Sequence, residues 1–274
     1  MRYGVGVDLG GTAIKMGLFT SDGQMLDSWS IDTDTSDNGK NILIDIAKSV
    51  SVKLAMKGID KKQVDGLGIG IPGAVSHGKV DKCINLGWSK VDVATELGTL
   101  CGLKVYADND ANVAALGEYK VGTGANYDGI LFVTLGTGVG GGIIIDGKII
   151  QGFSGYGGEI GHIGVKYDET ELCNCGRCGC LEQYASSTGI RRLAMRRLKE
   201  SDDSSALRDY GKELTTKDIF DKAKEKDALA EKIVDYSVEF LAKGCADICH
   251  VINPEAVIIG GGVANAGDFL IDKV

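Results

Sequence analysis

The sequence predicts a pair of α/β domains, on three observations. At 274 residues the chain can bury a large core and would usually divide it between two domains. Short β-rich runs are interspersed with stretches of helical periodicity. Finally, a β–glycine–β unit at Val7-Asp8-Leu9-Gly10-Gly11-Thr12 returns at Val133-Thr134-Leu135-Gly136-Thr137-Gly138. Each copy runs into an apolar strand and then an Asp-Gly turn, Asp22-Gly23 in the first and Asp146-Gly147 in the second. Two such units a domain apart imply two halves of one architecture, the layout of a cleft enzyme that grips phosphates from both sides.

Taken in order, Tyr3–Asp8, Ala13–Phe19 and Gln24–Ile31 read as a three-stranded antiparallel meander with glycines at its first bend. Asn41–Lys57 places Ile42, Ile46, Val50 and Leu54 at helical spacing, with Gly58 as its C-cap. Gly66–Ile71 is a buried strand ending at Pro72-Gly73. Val91–Leu100 is a helix, and Lys104–Ala107 a strand delivering Asp108-Asn109-Asp110 to the start of a helix over Ala111–Tyr119. Gly129–Leu135 opens the second half. Beyond it lie a basic helix, Ser187–Leu198, a polar loop, Lys199–Tyr210, and helices over Thr216–Lys224 and Ala228–Val251, the last with Ile233, Phe240, Leu241 and Ile248 as core candidates. Asn253-Pro254 ends it, and Ala256–Ile259 is a strand running into Gly260-Gly261-Gly262.

Composition narrows the function classes. With 30 basic and 38 acidic residues, a net charge of -8 and no basic block, nucleic acid is not the expected partner. Glycine accounts for 41 residues, about twice the usual ~7%, while proline accounts for 2, which suits tight ligand-approaching loops better than a low-complexity linker. The start, MRYGVGVDLGG, carries no export signal, and no stretch reaches membrane-span length. A soluble, cytoplasmic protein whose eight cysteines are reduced or metal-bound is expected.

Four of those cysteines, Cys173, Cys175, Cys178 and Cys180, crowd into CNCGRCGC with His162 upstream. Three Cys and one His suit tetrahedral zinc, and one of the five candidates is then spare. A disulfide pair is the plainer alternative, but it needs neither the extra cysteines nor Gly176 and Gly179. Glu159 and Glu182 bracket the cluster, so a metal there would fix two carboxylates. Gly136–Gly141 formally contains GxGxxG, but a β-branched run follows instead of the helix that a dinucleotide site requires. A hairpin loop whose N–H groups can approach phosphate remains, partnered by Gly10–Thr12. No GxxxxGK[ST] occurs. Asp8 beside the first loop makes sense at a phosphate site if Mg²⁺ shields it. Asp110, in preference to Asp108, is placed to accept the proton of an attacking hydroxyl in phosphoryl transfer. Lys15 is a candidate phosphate contact, a solvated lysine being the alternative. His77 and His250 stand outside any cluster.

DLGGT at Asp8–Thr12, NDAN at Asn109–Asn112, LGTGVGGG at Leu135–Gly142, GEIGHI at Gly158–Ile163 and CNCGRCGCLE at Cys173–Glu182 together resemble the ROK family of sugar kinases. Ile71-Pro72-Gly73 and Asn85-Leu86-Gly87-Trp88 look most like its bacterial ATP-dependent glucokinases. The resemblance implies a two-lobed actin/hexokinase/Hsp70-like fold, each lobe ribonuclease-H-like, divided here as 1–115 and 116–274 with a zinc knuckle in the second lobe. It implies Asp110 as the base for the glucose 6-hydroxyl, and Asn85, Asn109, Glu159, His162 and Glu182 as sugar contacts. Asp8, Gly10, Gly11, Thr12, Lys15, Thr137, Gly138, Gly261 and Gly262 would serve ATP and Mg²⁺. His162, Cys173, Cys175 and Cys180 would hold structural Zn²⁺, leaving Cys178 out, and lobe closure would exclude water. A homodimer is implied as well. Family members continue past the GGG loop, so an end at Val274 reads as a truncation. N-acetylmannosamine, N-acetylglucosamine, fructose or allose are alternative acceptors. A sugar-responsive repressor is the other class, disfavoured because the DLGGT motif begins at Asp8 and leaves no room for a preceding helix-turn-helix.

Overall fold

A computed structural model describes residues 1–274. The chain folds into two compact units, one of residues 1–122 with 149–157 and one of residues 123–148 with 158–274. Each encloses its own apolar core.

The first unit is built on strands β1 (Tyr3–Leu9), β2 (Ala13–Thr20), β3 (Met25–Asp32), β4 (Val64–Ile71) and β8 (Val105–Asn109), in the order β3-β2-β1-β4-β8. β2 runs antiparallel to β1 and β3, which is the expected meander, while β1, β4 and β8 are parallel. Helix α1 (Ile42–Met56) buries Ile42, Ile46, Val50 and Leu54 on one face, and Gly58 follows its end in the left-handed region that a C-terminal glycine supplies. Helix α2 (Val93–Cys101) starts two residues later than the periodicity suggests. Asp92 caps it by accepting from the Thr95 N–H at 3.1 Å, and Val91 is instead paired with Val80 in a small sheet of β5 (Val75–Ser76), β6 (Lys79–Cys83) and β7 (Trp88–Val91). That sheet was not foreseen. Its strands are two to five residues long, too short for a period-2 pattern to register. Trp88 lies buried there, its indole N–H donating to the Gly39 carbonyl at 3.1 Å. Helix α3 spans Asp110–Val121.

The second unit repeats the plan. β9 (Ile130–Leu135) pairs antiparallel with β10 (Val139–Ile145) and parallel with β12 (Ala256–Gly260), and β11 (Lys148–Ile149) completes the order β11-β10-β9-β12. Strand for strand this matches β3-β2-β1-β4, so the repeated β–glycine–β unit marks a repeated sheet. Asp146 and Gly147, both at positive φ, make the two-residue turn after β10. Three helices cover the sheet: α4 (Ser187–Glu200), α5 (Thr216–Lys224) and α6 (Ala228–Ile252). Of the four core candidates on α6, Ile233, Phe240 and Leu241 are buried and Ile248 packs partly buried against them. Thr215 and Asp218 form a capping box at the start of α5. Asp227 caps α6 through the N–H groups of Leu229 (3.1 Å) and Ala230 (3.0 Å), and Asn253 ends it in the left-handed region before Pro254.

The stretch expected as a polar loop, Lys199–Tyr210, is only partly so, because Ala206–Glu213 winds into 3₁₀ turns. Asp227 holds their start, accepting from Ser205 Oγ at 2.9 Å and the Ala206 N–H at 2.8 Å. Arg208 donates to the carbonyls of Asp203 and Leu198 at 3.0 and 2.8 Å. Bonds from polar side chains to backbone carry no periodic signal, which is why this piece was unreadable. No helix is long and apolar enough to cross a membrane.

Candidate functional site

In the first unit the expected residues collect at the carboxyl ends of β1, β4 and β8, where open parallel sheets bind ligands. Asp8 lies opposite Lys15 across the β1–β2 pair, their charged atoms 4.0 Å apart and both side chains largely exposed. The chain then turns through Gly10, whose N–H donates to the Ala13 carbonyl at 3.1 Å. A Cβ on Gly10 would come within 2.8 Å of that carbonyl, whereas one on Gly11 would meet nothing within 4 Å. The fold therefore requires glycine at position 10, and Gly11 borders open space.

At the end of β8, Asn109 caps α3, its Oδ1 accepting from the N–H groups of Ala111 (2.9 Å) and Asn112 (3.2 Å) while its Nδ2 donates to the Gly73 carbonyl at 3.0 Å. That last bond is the use of the Pro72-Gly73 loop: it anchors the cap. Asp110 follows as the first helical residue and accepts from the Ala111 N–H at 2.9 Å. Asp110 presents surface to solvent, yet protein crowds its carboxylate on most sides. This burial pushes its pKa up against the pull of the Ala111 N–H, and the negative charge of Asp8 adds to the rise. Gly70, beside Asp8 in the parallel register, has no Cβ to press on the Asp110 Cα, which would lie 3.3 Å from it. Asp108 is differently employed: its carboxylate accepts from the Asn109 N–H (2.7 Å), Asn112 Nδ2 (3.1 Å) and Gln151 Nε2 (2.6 Å). Asn85 stands exposed on the 3₁₀ turn Ile84–Leu86.

In the second unit, His162, Cys173, Cys175 and Cys180 place their ligand atoms within 4.8 Å of one another. Cys173 Sγ lies 3.7 Å from His162 Nδ1, and Cys175 Sγ lies 3.6 Å from Cys180 Sγ. The edge of a tetrahedron around zinc with bonds near 2.3 Å to sulfur is about 3.8 Å, whereas a disulfide needs about 2.05 Å. All eight cysteines are free thiols, and Cys178 lies outside the cluster. Burial and the neighbouring sulfurs push the Cys180 thiol up to about 12. A cation would reverse that effect, since a coordinating thiol is deprotonated.

The knuckle is tied down from below. Gln183 accepts from the Cys180 N–H (3.0 Å) and donates to the Glu171 carbonyl (2.9 Å). Burial by itself would raise Glu169, but the Tyr184 hydroxyl at 2.6 Å and the N–H groups of Glu171 and Thr170 hold it down to about 2. Gly179, in the left-handed region, would put a Cβ only 1.7 Å from the Lys166 carbonyl.

Glu182 joins the knuckle to the second glycine loop. Its Oε2 accepts from the Val139 N–H at 3.1 Å, and its Oε1 lies 3.8 Å from Cys173 Sγ. It fits because Gly138 has no side chain, a Cβ there lying 2.2 Å from the carboxylate. Glu159 starts the 3₁₀ turn Ile160–His162, which lies against β10. The loop's outer side borders a pocket of about 840 Å³, within the usual range for small-molecule sites. Gly136, Thr137 and Gly262 line one side of it, past the carboxyl ends of the parallel β9 and β12. Gly261, at positive φ, seats its backbone against Leu135, where a Cβ would lie 2.6 Å from main-chain atoms. Thr188, Arg191, Lys217, Phe220, Lys224 and Asn265 line the pocket too, with the acids Glu213 and Asp221 among them, Asp221 paired with Lys217. None of these was foreseen, since they lie on helices and turns without motif spacing. Their one sequence-level trace is the basic character of α4; with the lysines of α5 and the 3₁₀ turns, cations outnumber acids in the pocket's lining in an acidic chain. A further cleft of about 870 Å³ beside Trp88 contains none of the expected site residues.

Two mixed sheets with glycine turns at their parallel strand ends make up the α/β fold of a sugar kinase. The chain belongs to the ROK family, whose model matches residues 4–274. It is 42% identical to a glucokinase of Halalkalibacterium halodurans over the whole of this chain and 84% of that protein. Among solved structures, a ROK-family glucokinase of Streptomyces griseus in complex with glucose and AMPPNP superposes with a TM-score of 0.79 at 33% identity, covering 99% of this chain and 86% of that one. A ROK-family transcriptional regulator, a homologue of the E. coli MLC protein, reaches 0.86 at 27% identity, covering 99% of this chain and 68% of the regulator. The fold is thus common to kinases and regulators, and the site has to separate them.

Gly161 gives a check on this geometry. A Cβ there would lie 2.1 Å from the Val139 carbonyl, a backbone atom inside the sheet. Gly161→Ala should cost at least ~1–3 kcal/mol, read as a shift in the guanidinium unfolding midpoint, and an unchanged midpoint would contradict the packing of this turn on β10.

Proposed function

We propose that the protein transfers the γ-phosphoryl group of ATP to the 6-hydroxyl of glucose, with Asp110 as general base. The observation that carries this reading is the Asp110 carboxylate, fixed at a helix start beyond the parallel strand ends and raised in pKa by its surroundings. Relatives named glucokinase, one of them solved with glucose and AMPPNP, support the two substrates. Asp110 takes the hydroxyl proton as the sugar oxygen attacks the γ-phosphorus, the bond to the β–γ bridging oxygen breaks, and ADP leaves. The 840 Å³ pocket suits the nucleotide, with Thr137 and Gly262 in its wall and Arg191, Lys217 and Lys224 as cations for its phosphates; Gly138 and Gly261, next to them in sequence, are assigned to the nucleotide as well. Gly10, Gly11, Thr12 and Lys15 are further assigned to phosphate contacts.

Asn85, Asn109, Glu159, His162 and Glu182 are assigned to the sugar hydroxyls. His162 turns Nδ1 toward Cys173, which leaves Nε2 for a hydroxyl. Asp8, exposed and with Lys15 as its charged neighbour, would hold Mg²⁺, which would supply positive charge against the phosphates. The Cys/His cluster would hold structural zinc that fixes His162 and, beside Cys173, Glu182.

In a coupled assay for ADP across a panel of hexoses, glucose should give the highest kcat/KM. Asp110→Asn should lose about 10²–10⁴ in kcat while still binding sugar; a variant turning over at the wild-type rate removes Asp110 as base, and a better hexose changes the acceptor.

The base form of Asp110 is lost as pH falls through its raised pKa. The acid limb of kcat/KM for glucose should therefore lie above ~3.9, the ordinary aspartate value. A limb at or below that value contradicts the enclosure argued for this carboxylate.

Freshly purified protein should contain one zinc per chain by elemental analysis, and Cys173→Ser should bind it more weakly. Cobalt substitution should give the visible absorption of a tetrahedral thiolate site. Fully active protein without bound metal would rule the zinc assignment out.

A further inference from the structure

Residues 149–157 pack with the first unit, although the residues on both sides of them in sequence belong to the second. They close into a loop through the Gly157 N–H, which donates to the Gln151 carbonyl at 2.8 Å. The loop is seated closely: a Cβ on Gly155 would lie 2.3 Å from the Val75 carbonyl. From this loop Gln151 donates its Nε2 to Asp108 Oδ2 at 2.6 Å. The orientation of the amide follows from its partner, since an ionised carboxylate can only accept.

The other oxygen of Asp108 accepts from the Asn109 N–H and from Asn112 Nδ2. Asn112 is 2% exposed, and its own Oδ1 has no partner. Asp108 is thus the acceptor for three donors around the turn that sets Asp110, and Gln151 is the one donor among them that comes from outside β8 and α3. Nothing in the proposed chemistry uses Gln151, and no motif contains it.

We propose that Gln151 is a positioning residue: through Asp108 it fixes the Asn109-Asp110 turn, and with it the direction of the Asp110 carboxylate, to the docked loop 149–157. This inference rests on the reading of Asp110 as the base. A misplacement of ~1 Å at a reacting group can cost about 10²-fold in rate, so one hydrogen bond of this kind is enough to affect turnover.

The test exchanges the donor and acceptor. Gln151→Glu sets a second carboxylate against Asp108 and should lower kcat for glucose at least ~10-fold, with the KM for ATP changed less than about 3-fold. Asp108→Asn should be mild, because the Gln151 amide can turn its oxygen toward the new donor. The double variant, Gln151→Glu with Asp108→Asn, restores the bond with its polarity reversed and should recover kcat to within about 3-fold of Asp108→Asn alone. Thermal melts of all four proteins separate turnover from folding. If Gln151→Glu does not fold alone, Gln151→Met, which deletes the donor at similar length, replaces it for the single-variant comparison.

Recovery of kcat in the exchanged pair supports the positioning role, since a merely structural contact would alter Tm and leave kcat per folded protein unchanged. Wild-type turnover by folded Gln151→Glu (or Gln151→Met in its place), or failure of the folded pair to recover, overturns this inference alone. A wild-type protein that phosphorylates no hexose overturns the proposed reaction and this inference with it.

Discussion

Parallel strand ends are the constraint on which the rest depends. Strands β1, β4 and β8 stop level with one another, as do β9 and β12, and the chain has to reverse or start a helix there. At those points backbone approaches backbone more closely than a side chain permits, which Gly10 meets in the first unit and Gly261 in the second. In the proposed reaction, the phosphate contacts assigned to these turns follow from how the sheets end. The two units differ in what they add to the ends: an acid at the start of a helix in one, a Cys/His cluster and a pocket richer in cations than acids in the other.

Charge is distributed by the same logic. The chain is acidic overall, yet Arg191, Lys217 and Lys224 gather at one pocket, while Asp8 and Asp110 sit near enough for one to raise the pKa of the other. Two carboxylates left close together are unfavourable unless a cation or a proton arrives, so the arrangement suits a site where both do. Glu182 shows how chemistry and packing share one residue. Its carboxylate closes the second glycine loop through Val139 and lies beside Cys173, so loop and knuckle keep a common geometry.

Much of this was legible in the sequence wherever a local rule carries the information. The repeated glycine units predicted the repeated sheets, Ile42 to Leu54 predicted α1, and CNCGRCGC with His162 pointed to a cluster of sulfur and imidazole. Spacing alone left five candidates for four places; the family resemblance left Cys178 out, and Cys178 does lie outside the cluster. What was illegible depends on contacts distant in sequence. Gln151 meets Asp108 across 43 positions, Thr188 donates to the Thr137 carbonyl across 51, and the pocket-lining side chains come from separate helices and turns. Polar residues at such positions look like any solvated surface until the fold brings them together.

The order in which the strands pair bears on how the protein is made. In the first unit β1 finds its parallel partner β4 about sixty residues later, Tyr3 lying opposite Val64. In the second, β9 must wait for β12, with Ile130 opposite Ala256. A ribosome therefore releases everything needed for the first ladder early, while the apolar β9 remains without its parallel neighbour until the stretch from Ile130 to Ala256 has emerged. Loops of that length close slowly, and unpaired apolar strands are exposed to wrong partners meanwhile. The β9–β10 hairpin, closed at once by its own glycine turn, is the structure that shelters one edge of β9 during that interval.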